Sequence, residues 1–399
     1  MRLIENKKRM KVLVLVILMS IVMTGCQFNE EQVQKWIDGD VWEEDMPAEQ
    51  EGVDETVSAQ QLPERQVIDG IKRYAYDQLT EEEQKLYLEI YNVFDNMAED
   101  ITLSSKNPED VDRIFQYVMD DHPEFFFVEG YSMSKYTTND VLTSLSLSGK
   151  YTKTVEEREN CQEQIDEYVN TCLADAPLNG TQYDLVKYIY DYLVTHTDYD
   201  LTAVDNQNIC SVFIGGKSVC QGYAKATQYL LEQEGITCIL VSGTVKNGES
   251  HAWNLADIDG NWCYIDTTWG DASYQMESTE VSYPQVNYDY LGVNQELLQQ
   301  THFLSSELTL PACTSLDEYY YVKEGCYFEE TDSEKLQSLI QRYYEEGKET
   351  LTIKCASQET YDAFIKELID QEKIFDYFIN SGNVRYARMD DTLELLFYL

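Results

Sequence analysis

Residues 218–270 read SVCQGYAKATQYLLEQEGITCILVSGTVKNGESHAWNLADIDGNWCYIDTTWG. Their pattern decides the fold: a helix opening near a cysteine, then strands carrying a histidine and an aspartate. Ser218 and Gln221 have the S-x-x-Q spacing of a capping box, which predicts Ser218 as N-cap, and Gly235 gives a stop after Leu230 and Leu231. Cys220 then falls at the second helical position. Unpaired backbone N–H groups and the helix dipole favour negative charge there and lower a thiol pKa toward the thiolate.

Ile236 to Val245 is β-branched and bounded by Gly235 and the Asn247-Gly248 turn, so it reads as a strand. Ser250–Ile258 and Asn261–Thr268 are two more, joined by Asp259-Gly260, a strong two-residue hairpin signal. If Ile258 pairs with Asn261, His251 and Asp266 become diagonal neighbours on one face, roughly 7–8 Å apart at the backbone and within side-chain reach. A one-residue slip would separate them.

The chemistry of such a set is nucleophilic. Cys220 attacks a carbonyl as thiolate, His251 pairs with it and later protonates the leaving amine, and Asp266 fixes the tautomer of the ring. The backbone N–H of Cys220 is an oxyanion donor by position. Each residue also has a plainer reading: a core cysteine, a structural histidine, a strand-end aspartate. Tyr223, Trp253 and Trp269 flank the three and either line the cleft or pack the core. His196 and His302 read as surface or capping residues, and His122, before a proline, as a turn former. Cys220, His251 and Asp266 lack the fourth protein ligand of a closed zinc site, so no metal and no cofactor is expected. GGKS at 215–218 lacks the upstream glycine of a phosphate loop, since Ser211 stands there.

The segments GKSVCQGYAKA, SHAWNLADIDGNWCYIDTTWGD and YDYLGVN resemble the transglutaminase-like superfamily, in particular its bacterial secreted and lipoprotein members, over about 181–302. The resemblance implies a papain-like fold, in which the helix bearing the cysteine packs on an antiparallel sheet bearing the other two residues. It carries the family's triad onto Cys220, His251 and Asp266. Members include protein-crosslinking transglutaminases, peptidases, amidases and forms without catalysis, so the resemblance fixes the chemistry better than the substrate.

The chain begins with Arg2, Lys7, Lys8, Arg9 and Lys11, then the apolar run VLVLVILMSIVM, then Thr24-Gly25-Cys26. This reads as a lipoprotein signal peptide over 1–25 with Cys26 lipidated, the plainer readings being a cleaved signal peptide or a single anchor. In each case the body lies outside the cytoplasmic membrane. The formal net charge of −44 excludes nucleic acid as a partner. Residues 26–70, rich in Glu, Asp and Gln, read as an acidic disordered tether.

The expected architecture is α+β: a helical and α+β unit over 71–180, the core over 181–310 and a small α/β domain over 311–399. Capping boxes at Thr80/Glu83, Thr154/Glu157 and Thr181/Asp184, and Asn107-Pro108, open four helices. Residues 271–302 read as a covering loop with a short helix, and YYYVKEGCYFEE (319–330) as a hairpin opening the last unit. The chain has ten cysteines but no C-x-x-C, and those in apolar strands, such as Cys238 and Cys263, read as core residues. Cys161 and Cys172 share a helix face about 16 Å apart, too far for a disulfide.

Three functions fit: an amidase or peptidase acting on cell-envelope protein or peptidoglycan peptide, a transglutaminase passing the acyl group to an amine, and a non-catalytic surface-binding module. The intact Cys, His and Asp set argues against the third.

Overall fold

The computed structural model describes residues 57–58, 73–139, 141–177, 179–271, 285–305, 308–378 and 384–399. The stretch 1–25 read as a signal peptide, Cys26 and most of the stretch read as a tether lie outside them. Three larger β-sheets follow one another along the chain, each with its own helices.

The first sheet has the order β1-β2-β4-β3. Val57–Ser58 (β1) comes first, then helices Tyr74–Asp77 (α1) and Glu81–Asp95 (α2), strand Ile101–Thr102 (β2) and helix Pro108–Asp121 (α3). Val128–Thr138 (β3) and Val141–Tyr151 (β4) form a long hairpin. The capping box predicted for α2 is present, and its apolar stripe, Leu86, Ile90, Val93 and Phe94, is buried. Val57 and Ser58 fall within the stretch expected to be a disordered tether, yet they pair in parallel with Ile101 and Thr102. The edge of β2 offers unpaired backbone groups, and pairing to such an edge needs no apolar sequence.

The middle of the chain runs through Val155–Ala174 (α4), Gln182–His196 (α5), Asp198–Tyr199 (β5), Ile209–Phe213 (α6), Lys217–Ser218 (β6) and Cys220–Gln233 (α7). Strands Cys238–Val245 (β7), Ser250–Ile258 (β8) and Asn261–Ile265 (β9) follow, then Thr267–Gly270 (α8), Leu291–Val293 (β10), Gln295–Leu298 (α9) and His302–Leu304 (β11). The sheet has the order β10-β9-β8-β7-β11, with every pairing antiparallel. Helix α7 buries Tyr223, Ala226, Leu230 and Leu231 and lies on β7 and β8. The segment read as a covering loop, 271–302, thus supplies edge strand β10, the short helix α9 and the first residue of the other edge strand, β11, while 272–284 lie outside the described residues. Helix α4, grouped by sequence with 71–180, sets Tyr168 against Phe213 and Tyr192, at ring separations of 4.9 and 5.7 Å.

The last sheet has the order β12-β13-β15-β14. Here Tyr320–Lys323 is a short helix (α10) and Tyr327–Phe328 (β12) pairs in parallel with Thr350–Cys355 (β13), so 319–330 is not a hairpin. Gly325, at a φ of 69°, turns the chain between them, and Tyr319 and Tyr321 are buried in the core. Ser333–Glu345 (α11), Gln358–Phe364 (α12), a π-helical turn at Ile365–Asp370, and Ile374–Tyr377 (α13) pack with Arg385–Met389 (β14) and Glu394–Tyr398 (β15). The Lys354 ammonium bridges Glu394, at 2.7 Å, and Asp289, joining this sheet to the middle of the chain. The nine described cysteines are all free. Among the described residues no helix is long and apolar enough to cross a membrane.

Candidate active site

Cys220 is the first residue of α7, not the second. Val219 holds the N-cap position without a capping side chain, and Ser218, expected there, ends β6. Pairing of Lys217 and Ser218 with Asp198 and Tyr199 commits the Ser218 backbone one residue too early for capping. Its hydroxyl turns back instead, 2.6 Å from Ser211 Oγ and 3.1 Å from Asn206 O. The sulfur still sits in the first turn, where the N–H groups lack intrahelical partners and the dipole favours a thiolate.

His251 lies on β8 opposite Gly243 of β7. The β8–β9 register is the one the Asp259-Gly260 turn predicts, from Ile258↔Asn261 to Asn254↔Ile265. Strand β9 stops at Ile265, short of the expected Thr268, because Asp266 turns the chain as N-cap of α8. Its Oδ1 accepts the N–H groups of Thr268 and Trp269 at 2.9 and 3.1 Å. Its Oδ2 lies 2.7 Å from His251 Nε2. That leaves Nδ1 as the ring nitrogen not taken by Asp266, and Cys220 lies close enough to raise the His251 pKa.

The electrostatics follow from this burial and pairing. Desolvation opposes a charge on His251, but Asp266 and then Cys220 outweigh it and push the imidazole up to about 10. Desolvation also opposes the Asp266 anion, and His251, with help from His302, holds that carboxyl well below the usual carboxylate range.

By its sequence context His302 is expected to be a surface or capping residue. It is fully buried, with Nε2 3.0 Å from the same Asp266 Oδ2 and Nδ1 2.8 Å from Thr301 Oγ1. It sits on a three-residue edge strand, too short for alternation to announce it. The other two histidines are elsewhere: His196 stacks on Tyr192 at 4.0 Å, and His122 Nδ1 lies 2.7 Å from Glu124.

Of the three aromatics read as either lining the cleft or packing the core, Tyr223 is fully buried and donates its hydroxyl to Thr197 O at 2.6 Å. Trp253 is also fully buried and stacks on His251 at 5.8 Å. Both pack the site from beneath and line no open wall, since the inward faces of α7 and β8 carry them into the core. Trp269 is partly exposed and sets its ring 4.6 Å from His302 and 5.9 Å from His251.

The ligand-type atoms of His251, Asp266 and His302 lie within 4.8 Å of one another. Both imidazoles sit at hydrogen-bond distance from one shared oxygen, and backbone N–H groups take the other.

The chain is similar to known proteins over this part. Residues 175–267 match the transglutaminase-like superfamily. Kyphoscoliosis peptidase of Homo sapiens is 25% identical over 155 residues, 35% of this chain and 23% of that protein. Its Mus musculus counterpart is 24% identical over the same extent. The chain thus spans about a quarter of the length of these relatives. A solved structure described as a TGase aligns with 39% of this chain and 48% of its own, at 17% identity and a TM-score of 0.27. The architecture is α+β with a papain-like core, a helix opening on the cysteine and packed on an antiparallel sheet.

Proposed function

We propose that this chain, whose residues 175–267 form a transglutaminase-like core, is a cysteine acyl-enzyme acting on amide bonds of protein or peptide substrates. The observation that carries the reading is the buried His251–Asp266 pair, Nε2 2.7 Å from Oδ2, with Cys220 beside it at the first position of α7. The Cys220 thiolate attacks the amide carbon, and the carbonyl π electrons move onto oxygen, near the N–H groups that open α7. The tetrahedral intermediate collapses, the C–N bond breaks, and His251 gives its Nδ1 proton to the departing amine. The product is a thioester on Cys220 and a neutral His251. Water or an amine then attacks the thioester and loses its proton to His251, releasing an acid or a new amide and regenerating the thiolate.

The basic and apolar start, with Thr24-Gly25-Cys26, supports tethering through a lipid on Cys26 and a body outside the cytoplasmic membrane. The substrate would then be envelope protein or peptidoglycan peptide. The charge of −44 speaks against nucleic acid.

The test combines iodoacetamide labelling with turnover of peptide and amine libraries. Cys220 is expected to label fastest of the thiols well below pH 8 and to slow in His251→Ala. Cys220→Ala is expected to keep the fold and lose all turnover. Turnover surviving in Cys220→Ala would remove the assignment, and labelling of Cys220 no faster than that of the other cysteines would favour a binding module with this fold. Acyl transfer to an added amine, against hydrolysis alone, separates transglutaminase from peptidase. Loss of lipid incorporation in Cys26→Ser tests the tether.

A further inference from the structure

His302 stands 36 residues beyond Asp266, on the far edge of the sheet, yet its ring ends at the same carboxylate oxygen as His251. Both of its nitrogens are engaged, Nε2 with Asp266 and Nδ1 with Thr301 Oγ1 at 2.8 Å. Rings enclose it: Trp269 at 4.6 Å, Trp253 at 5.0 Å, Tyr290 at 5.3 Å and His251 at 5.4 Å. A histidine that merely filled the core could satisfy Nε2 on any carbonyl. This one places its donor on the single atom that orients His251.

We propose that His302 is a positioning residue for the Cys220 chemistry: it shares Asp266 Oδ2 with His251, anchors the carboxylate and limits how tightly that carboxylate holds the His251 proton. The inference rests on the acyl-enzyme reading above.

The physical argument is competition for one oxygen. A carboxylate oxygen that accepts one N–H is a weaker acceptor for a second, and each donor stabilises the anion. With His302 in place, Asp266 depends less on the His251 proton, and the imidazolium remains acidic enough to protonate a leaving amine. Without it, the full attraction of Asp266 falls on His251. The ring then keeps its proton to higher pH and gives it up less readily. The other titratable groups facing the cluster are Cys220 on α7, Tyr190 on α5, whose hydroxyl lies 3.3 Å from Asp266 O, and Tyr290 beside β10. Burial pushes both phenols up.

The chain has four histidines, few enough for imidazole ¹⁵N resonances to be followed one by one through a pH titration. His302→Phe keeps a ring and removes the donor. His302→Gln restores an N–H at the reach of Nε2, and the side chain of His302→Asn, one methylene shorter, does not reach. The expected result is an upward move of the His251 titration by about one pH unit in the Phe variant, reversed in Gln. A several-fold loss of turnover with an optimum moved the same way should accompany it. If the Phe variant fails to fold, Asn against Gln makes the same comparison. A His251 titration equal to wild type in a folded donor-free variant overturns the inference while leaving Cys220 activation intact. Wild-type Cys220 that labels no faster than the other thiols overturns the acyl-enzyme reading, and this inference with it.

Discussion

Ser211 Oγ and Ser218 Oγ lie 2.6 Å apart beneath the first turn of α7, in space that is open only because residue 222 is glycine. A Cβ on Gly222 would overlap Ser218 Oγ and come within 2.9 Å of Ser211 Oγ and 3.0 Å of Asn206 O. The serine pair fixes the strand that delivers Cys220 to the helix. Gly222→Ala should therefore lower unfolding free energy by about 1–3 kcal/mol in denaturant titration and slow Cys220 labelling, because overpacking here displaces the segment that holds the sulfur. Ser211→Ala, which removes one hydroxyl and adds no atom, should cost only about 0.5–1.5 kcal/mol.

The pH dependence has a definite sign. His251 binds its proton more tightly folded, at about 10, than at the ordinary 6.5. The stabilisation from its pairing is therefore complete below about pH 6.5 and is lost as pH rises through about 10. Asp266 is shifted the other way, so its contribution is present at neutral pH and lost in acid. Turnover that needs a protonated His251 should fall on an alkaline limb near pH 10, with unfolding midpoints falling over the same interval. In Cys220→Ala, which loses one of the groups raising His251, the imidazole should titrate lower in the ¹⁵N spectrum. An unchanged titration there would deny contact between the two side chains.

Arg73, just before α1, reaches across to α7. Its guanidinium lies 2.6 Å from Glu232, with both side chains less than a tenth exposed, and also bonds Asp121 O. Arg73→Ala would leave the Glu232 carboxylate buried without its cation, and unfolding free energy should drop by about 3–5 kcal/mol. Replacing both as Arg73→Met with Glu232→Leu should recover part of that loss, since the apolar pair needs no partner while Asp121 O and Glu124 still lose the guanidinium. Thermal and denaturant unfolding of the three variants measures the difference.

Local signals announced most of what positions the His251–Asp266 pair. The Asp259-Gly260 turn determines the β8–β9 register, and that register places His251 and Asp266 diagonally. The three capping boxes read from Thr80, Thr154 and Thr181 are all formed. What sequence could not supply is pairing between distant segments. Ser218 looks like a cap until Asp198 and Tyr199 claim it as a strand. Tyr319 to Glu330 looks like a hairpin until β13 pairs with Tyr327 and Phe328 in parallel. His302 looked peripheral because its role depends on β11 pairing with β7 across more than fifty residues of chain. Edge strands of two or three residues carry too few side chains for a periodicity to appear.

Strands β10 and β11 also flank the sheet on its two sides, and both lie beyond residue 267, where the family match ends. A fragment cut to 175–267 would keep β7, β8 and β9 but expose the backbone of β9 on one side and β7 on the other. Open edges of that kind recruit other chains, so such a fragment should self-associate. The smallest soluble unit that retains the Cys220 site should therefore extend past Leu304.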